Sequence, residues 1–127
     1  MKREFTIYTD SYDQPFKTIG IFDDSESVLL IKWKQRHEGD KSDSLYEIRM
    51  DKSSGVATIK RSGEFRSELI FDTSRPTVGH VYTPFGAIDV DIVTEYINMP
   101  SVLSQRFEIS YIMGPDKIKN IFSLRLE

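Results

Sequence analysis

The chain contains no cysteine among its 127 residues. Disulfide bonds, thiolate metal ligands and a cysteine nucleophile are therefore excluded. It has only two histidines, His37 and His80, which lie far apart in the sequence. Neither has a neighbour at the spacing typical of metal ligands, so we expect solvated or structural histidines, no metal site and no cofactor.

Long apolar runs and an excess of positive charge are also missing. No segment approaches the roughly 20 apolar residues of a membrane helix, and the stretch from Met1 to Ile7 lacks the apolar core of a signal peptide. We therefore expect a cytoplasmic protein with no membrane partner. The formal net charge of -3 argues against nucleic acid as a partner. Trp33 sits among basic residues, but Lys32 and Lys34 fall on the opposite face of a strand, which disfavours base stacking.

Apolar and polar residues alternate along most of the sequence. Apolar residues make up 39% and charged residues 29%, a mixture typical of a soluble globular protein, and the length predicts one domain over residues 1–127. After the break at Pro84 and Gly86, apolar Ile88, Val90 and Ile92 are separated by aspartates, the period of a strand with one buried face. Similar stretches predict about eight to ten strands, within 3–9, 16–22, 28–35, 45–51, 56–61, 65–71, 79–83, 86–97, 105–113 and 117–126.

Short strands joined by tight turns predict an all-β fold, and closure would remove exposed strand edges. We expect a single antiparallel, mostly up-and-down barrel. A barrel of this size is either filled by its own side chains or has room for one small ligand.

Several short segments resemble the YwiB-like domain family. They are Ile59-Lys60-Arg61-Ser62-Gly63, Leu69-Ile70-Phe71, Tyr82-Thr83-Pro84-Phe85-Gly86, Thr94, and Ile109-Ser110-Tyr111. The similarity covers residues 45–127, and the segment from Tyr82 to Gly86 is its most specific part. This is a bacterial family of unknown function whose members adopt calycin-type (lipocalin-like) β-barrels. The resemblance implies that barrel and brings no activity with it.

The turn around Gly63 decides which way Arg61 points. A two-residue loop would mix apolar and charged residues on each face of the hairpin. A three-residue loop, Ser62 to Glu64, would pair Arg61 with Phe65 and place most apolar residues on one face and most charged residues on the other. We predict the longer loop, which directs Arg61 to the apolar face. A guanidinium there needs acceptors. These could be backbone carbonyls, Glu64 or an anionic ligand.

The same alternation predicts which residues face the barrel interior. Most are apolar filling: Leu29, Ile31, Ile48, Met50, Ile88, Val90, Ile92, Phe107, Ile109, Met113, Ile118, Phe122, Leu124 and Leu126. An apolar cavity with a few converging polar groups is typical of a small-molecule site. The candidate ligand-binding residues are Arg61, Tyr46, Trp33, Thr94, Tyr96, Tyr111 and Asn120.

The sequence favours two functions and leaves a third, a hydrolase or isomerase, open without pointing to a site for it. One is a barrel that binds a small apolar or anionic ligand in its interior. The other is a structural or protein-interaction module, such as a homodimer, with a packed core and no enzymatic activity. No catalytic residues are predicted, because Asp89, Asp91 and Glu95 are expected to face solvent and pair with basic residues of neighbouring strands.

Overall fold

The structure, a computed structural model, describes residues 1–10 and 13–127. These residues form ten strands. None of them belongs to a helix able to cross a membrane. The strands are β1 (Lys2–Thr9), β2 (Phe16–Asp24), β3 (Val28–Gln35), β4 (Ser44–Asp51), β5 (Val56–Ser62), β6 (Arg66–Phe71), β7 (Thr77–Thr83), β8 (Gly86–Asn98), β9 (Arg106–Met113) and β10 (Ile118–Leu126).

Each strand pairs antiparallel with its neighbours in sequence, and β1 pairs with both β2 and β10. The sheet therefore closes on itself as an up-and-down, calycin-like barrel, which confirms the predicted fold class. The turns β1–β2, β3–β4, β5–β6, β7–β8 and β9–β10 lie at one end of the barrel, here called the upper end. The chain termini and the remaining turns lie at the lower end.

Alternate residues of the strands fill the barrel interior. Phe5, Phe71 and Phe107 are fully buried. Aliphatic residues, among them Ile31 and Ile109, complete the same core. Close packing of this kind excludes water from the middle of the barrel. Any interior ligand must therefore bind towards one end.

A β-bulge in β8 overturns the predicted position of Tyr96. Thr94 lies opposite Tyr111, yet Tyr96 lies opposite Ser110, so one extra residue, Glu95, is inserted between them. The alternation reverses at that point. Ile97 packs against the core, and Tyr96 is 41% exposed on the outer face. The prediction that Tyr96 faces the interior is therefore wrong.

Two apolar residues that were predicted to be buried lie near strand ends. Ile88 is 53% exposed and Ile118 is 60% exposed. Pairing of β8 with β9 begins only at Ile92, so the first residues of β8 project beyond the strand next to them. Alternation predicts which face a residue occupies, but it does not predict where the barrel wall ends.

The β5–β6 turn is wider than predicted. Arg61 lies opposite Ser67 rather than Phe65, a shift of two residues. Because side chains alternate with period two, this shift leaves the paired residues of β5 and β6 on their predicted faces. Phe65 itself lies in the turn and is 45% exposed. Gly63 has a φ of 117° there, a conformation that residues with a side chain rarely adopt.

Candidate functional site

Cross-strand pairing arranges six of the candidate residues in two rows. Trp33, Tyr46 and Arg61 lie opposite one another on β3, β4 and β5. Thr94, Tyr111 and Asn120 do the same on β8, β9 and β10. Tyr96 belongs to neither row, because the bulge turns it outward.

The two rows meet at a cavity of about 250 Å³ at the upper end of the barrel. Tyr46 and Arg61 line it from one row, and Tyr111 and Asn120 from the other. Its apolar walls are Ile59, Leu69 and Phe122, and further polar groups come from His37, Ser67 and Asp10. The structure thus brings four of the candidates together around one space.

Trp33 packs beside the cavity residue Tyr46 without lining the cavity. Its ring stacks on Tyr46, with centroids 5.0 Å apart and planes 3° from parallel. Its indole Nε1 donates to Gln35 Oε1 at 3.1 Å. The tryptophan is only 3% exposed. Its contacts fix the orientation of the Tyr46 ring, and Trp33 is therefore a supporting residue.

Arg61 is held by polar and aromatic contacts. Its Nε donates to Ser44 Oγ at 3.0 Å, and its Nη2 lies 3.5 Å from Asp40 Oδ2. The guanidinium carbon lies 5.5 Å from the ring centre of Tyr46 and 5.0 Å from that of Phe65. Glu64, a predicted partner, instead accepts from the backbone N–H of Lys41 at 3.0 Å. Within residues 1–10 and 13–127, Arg61 Nη1 has no acceptor.

His37 is a cavity residue that the sequence analysis treated as solvated or structural. Its Nε2 lies 2.6 Å from the hydroxyl of Tyr46, and its backbone N–H donates to Asp40 Oδ2 at 3.1 Å. Burial lowers the pKa of His37, the positive charge of Arg61 lowers it further, and Asp40 partly offsets both. The missed signal is parity, because His37 continues the inward series of Trp33 and Gln35 beyond the end of β3.

The opposite row contributes two hydroxyl groups with different roles, those of Tyr111 and Thr94. The ring of Tyr111 meets the edge of Phe71 at 4.8 Å, and no described residue hydrogen-bonds to its hydroxyl. Burial, with a smaller effect from Asp10, raises the pKa of Tyr111. Thr94 Oγ1 accepts from the backbone N–H of Asp72 at 3.2 Å, so Thr94 stabilises the wall and does not line the cavity. Asn120 Nδ2 donates to the carbonyl of Ile118 at 3.0 Å.

The predicted acidic row faces outward, and two of its members, Asp89 and Glu95, are paired. His80 Nδ1 lies 2.8 Å from Asp89, and Lys119 Nζ lies 3.6 Å from Glu95. Glu95 also accepts from Ser110 Oγ at 2.8 Å. In the part of the chain that the structure describes, no group of three or more acidic, histidine or cysteine side chains could hold a metal ion.

Comparison with known proteins identifies a family and a shared fold. The family model described as "Domain of unknown function (DUF1934)" matches residues 5–120. The crystal structure of the ywiB protein from Bacillus subtilis aligns with a TM-score of 0.69 at 18% sequence identity, over 99% of this chain and 89% of that one. At this identity the likeness concerns the fold alone. No curated protein matches the chain.

Proposed function

The chain belongs to the DUF1934 family, whose function is unknown, and from its cavity we propose that it binds a small organic anion at the upper end of the barrel. The favoured ligand is a carboxylate with a short apolar body. The observation that carries the proposal is Arg61, a cation whose guanidinium lies near the rings of Tyr46 and Phe65 at a cavity that also has apolar walls.

The unused donors around the cavity support an anionic group. The guanidinium of Arg61 cannot lose its proton, and its Nη1 lacks an acceptor among the described residues. The hydroxyls of Ser67 and Tyr111 line the same space, and no described residue hydrogen-bonds to either side chain. Asp40 accepts from the backbone N–H of His37 and lies 3.5 Å from Arg61 Nη2, which leaves Nη1 for a ligand. Asp10 accepts from the backbone N–H of Ile121 at 2.9 Å. A ligand carboxylate would satisfy the remaining donors.

The apolar walls and the volume limit the rest of the ligand. Ile59, Leu69 and Phe122 offer no hydrogen bonds, so the part of the ligand that they contact should be apolar. The cavity of about 250 Å³ lies just below the range of about 300 to 1,000 Å³ that is typical of ligand pockets. A ligand of a few carbon atoms or one aromatic ring fits these limits.

Nuclear magnetic resonance titration with matched probes tests this proposal. Benzoate and butyrate present a carboxylate on an apolar body, whereas benzamide and butyramide keep the shape without the charge. We expect saturable shifts at the backbone amides of Tyr46, Arg61 and Tyr111 with the carboxylates only. Arg61→Gln should weaken binding about 10- to 100-fold, because a hydrogen bond to a charged group contributes about 1.5–3 kcal/mol.

Lys60→Gln is the matched control. Lys60 is the neighbour of Arg61 on the outer face, where its Nζ lies 3.9 Å from Glu68. The Lys60→Gln substitution removes one positive charge, as Arg61→Gln does, but outside the cavity. It should therefore leave carboxylate binding unchanged. Equal binding of acid and amide, equal losses in the two variants, or no saturable binding of any probe would contradict the proposal.

A further inference from the structure

The first residues of β8 form an open strand edge. Gly86 to Val90 pair with β7 on one side. On the other side β9 begins to pair only at Ile92, and no described residue pairs with that edge. Natural proteins usually protect such an edge, because its unpaired N–H and C=O groups can bind another strand. Here the edge carries no lysine and no proline.

The hydrogen bonds near this edge show which backbone groups are available. The carbonyl of Asp91 accepts from the N–H of Gly114, at 3.0 Å, on the β9 side. Successive residues of an antiparallel strand direct their N–H and C=O groups to opposite sides. Ala87 and Asp89 therefore present both groups to the open edge, whereas Ile88 and Val90 bond to β7.

We propose that this edge pairs antiparallel with the same edge of a second copy of the chain, around a twofold axis at Ile88. In that register Ala87 of each copy lies opposite Asp89 of the other, so the available backbone groups meet. Ile88, 53% exposed in one chain, then packs against Ile88 of the second copy.

Charge disfavours the neighbouring register in which the axis lies at Asp89. An axis at Asp89 would place two aspartates directly opposite each other, which is unfavourable. With the axis at Ile88, Asp89 faces a small neutral residue and stays close to His80 of its own chain, at 2.8 Å. Asp91 then lies opposite Phe85 of the second copy, which is fully exposed in one chain. The segment is complementary to itself, and this favours a second copy over an unrelated strand.

Sedimentation equilibrium of the full chain tests the association. We expect a concentration-dependent rise from 14.7 kDa towards twice that mass. The dissociation constant should be on the order of 100 μM, because the edge from Gly86 to Val90 is short compared with the roughly 20–30 residues a side of a stable interface. Ile88→Lys should weaken it about tenfold or more, since like charges would then meet at the axis. Val93→Lys, on the same strand but where β9 covers the edge, is the matched control and should dimerise as before.

Amide hydrogen exchange provides a readout at the edge itself. The N–H groups of Ala87 and Asp89 should be protected only at concentrations where the dimer forms, whereas those of Ile88 and Val90 should be protected at all concentrations. A monomer at millimolar concentration would overturn the proposal. So would a dimer that Ile88→Lys leaves intact, or exchange at Ala87 and Asp89 that does not change with concentration.

Discussion

Protonation of one side chain, His37, changes the charge of the cavity. Burial and the nearby Arg61 lower its pKa from the ordinary value of 6.5. As pH falls, the unfolded chain takes up this proton before the folded protein does. His37 therefore leaves stability intact above about pH 7 and reduces it as pH falls through 6.5 towards the lower pKa of the folded state.

His37→Asn should remove this part of the pH dependence of stability. We expect the urea midpoint of the native protein to fall between about pH 7.5 and 5.5, and to fall less in His37→Asn, because asparagine does not titrate. His80→Asn is the control, since His80 lies on the outer face against Asp89. An imidazole of His37 that titrates by nuclear magnetic resonance at or above 6.5, the ordinary value, would contradict this explanation.

The cavity residues show what sequence reasoning can reach at the scale of single side chains. Alternation placed Tyr46, Arg61 and Tyr111 inside, and all three line the cavity. It does not separate a residue that lines a space from one buried beside it, so it also predicts Trp33, which does not line the cavity. It does not predict His37, because alternation describes strands and this residue lies in the turn after β3.

At the scale of a strand, the bulge in β8 is the feature that alternation could not predict. An inserted residue has no sequence signature here, because uninterrupted alternation already gives Glu95 an outward position and Tyr96 an acceptable inward one. The bulge becomes visible only in pairing, where Tyr96 and not Glu95 lies opposite Ser110. From that residue onward, the pattern of buried and exposed positions shifts by one.

Substitutions at two adjacent residues after the bulge, one on the inner face and one on the outer face, test its position. Ile97→Thr should destabilise the protein by about 1–2 kcal/mol, because it places a hydroxyl and a smaller side chain against the core. Tyr96→Thr should change stability by no more than about 0.5 kcal/mol, as is usual for surface positions. Urea denaturation of both variants measures the difference. The original alternation predicts the opposite order, so a larger loss in Tyr96→Thr would contradict the bulge.

Strand bounds were more predictable than strand pairing, for a physical reason. The sequence of each strand shows which alternate residues are buried. β3 therefore begins and ends where the alternation does, at Val28 and Gln35. Register depends on the geometry of each turn. At β5–β6, Gly63 and its neighbours form a wider turn than the predicted one. The exact pairs therefore differ from the prediction, and only the faces of the paired residues agree with it.

At the scale of the whole molecule, basic and acidic side chains alternate from strand to strand on the outer wall. One row of directly paired residues crosses six strands, from β3 to β8. It runs Lys32, Glu47, Lys60, Glu68, His80 and Asp89. Each exposed pair contributes little alone, but the alternation excludes like charges from opposite positions. The observed pairing register of β3 to β8 is thereby favoured over registers that would place like charges opposite each other.

Closure of the barrel depends on strands at opposite ends of the sequence. Tyr8 of β1 lies directly opposite Ser123 of β10, and bringing them together costs the entropy of a loop that spans nearly the whole chain. Ser123 is a suitable site for a cross-link, because its buried hydroxyl has no hydrogen-bond partner within the described part of the chain. Directly paired residues also lie at the Cα separation that a disulfide needs.

A disulfide across this junction should stabilise the fold more than one within a hairpin. Since the chain has no cysteine, Tyr8→Cys with Ser123→Cys can form only one disulfide within the chain. Constraining a loop of about 100 residues contributes up to roughly 4.7 kcal/mol, and a short loop contributes less. The matched pair is Lys60→Cys with Glu68→Cys, opposite each other within the β5–β6 hairpin. Urea midpoints of each pair, oxidised and reduced, measure the two gains, and an equal or larger gain in the hairpin would show that ring closure is not the dominant entropic cost.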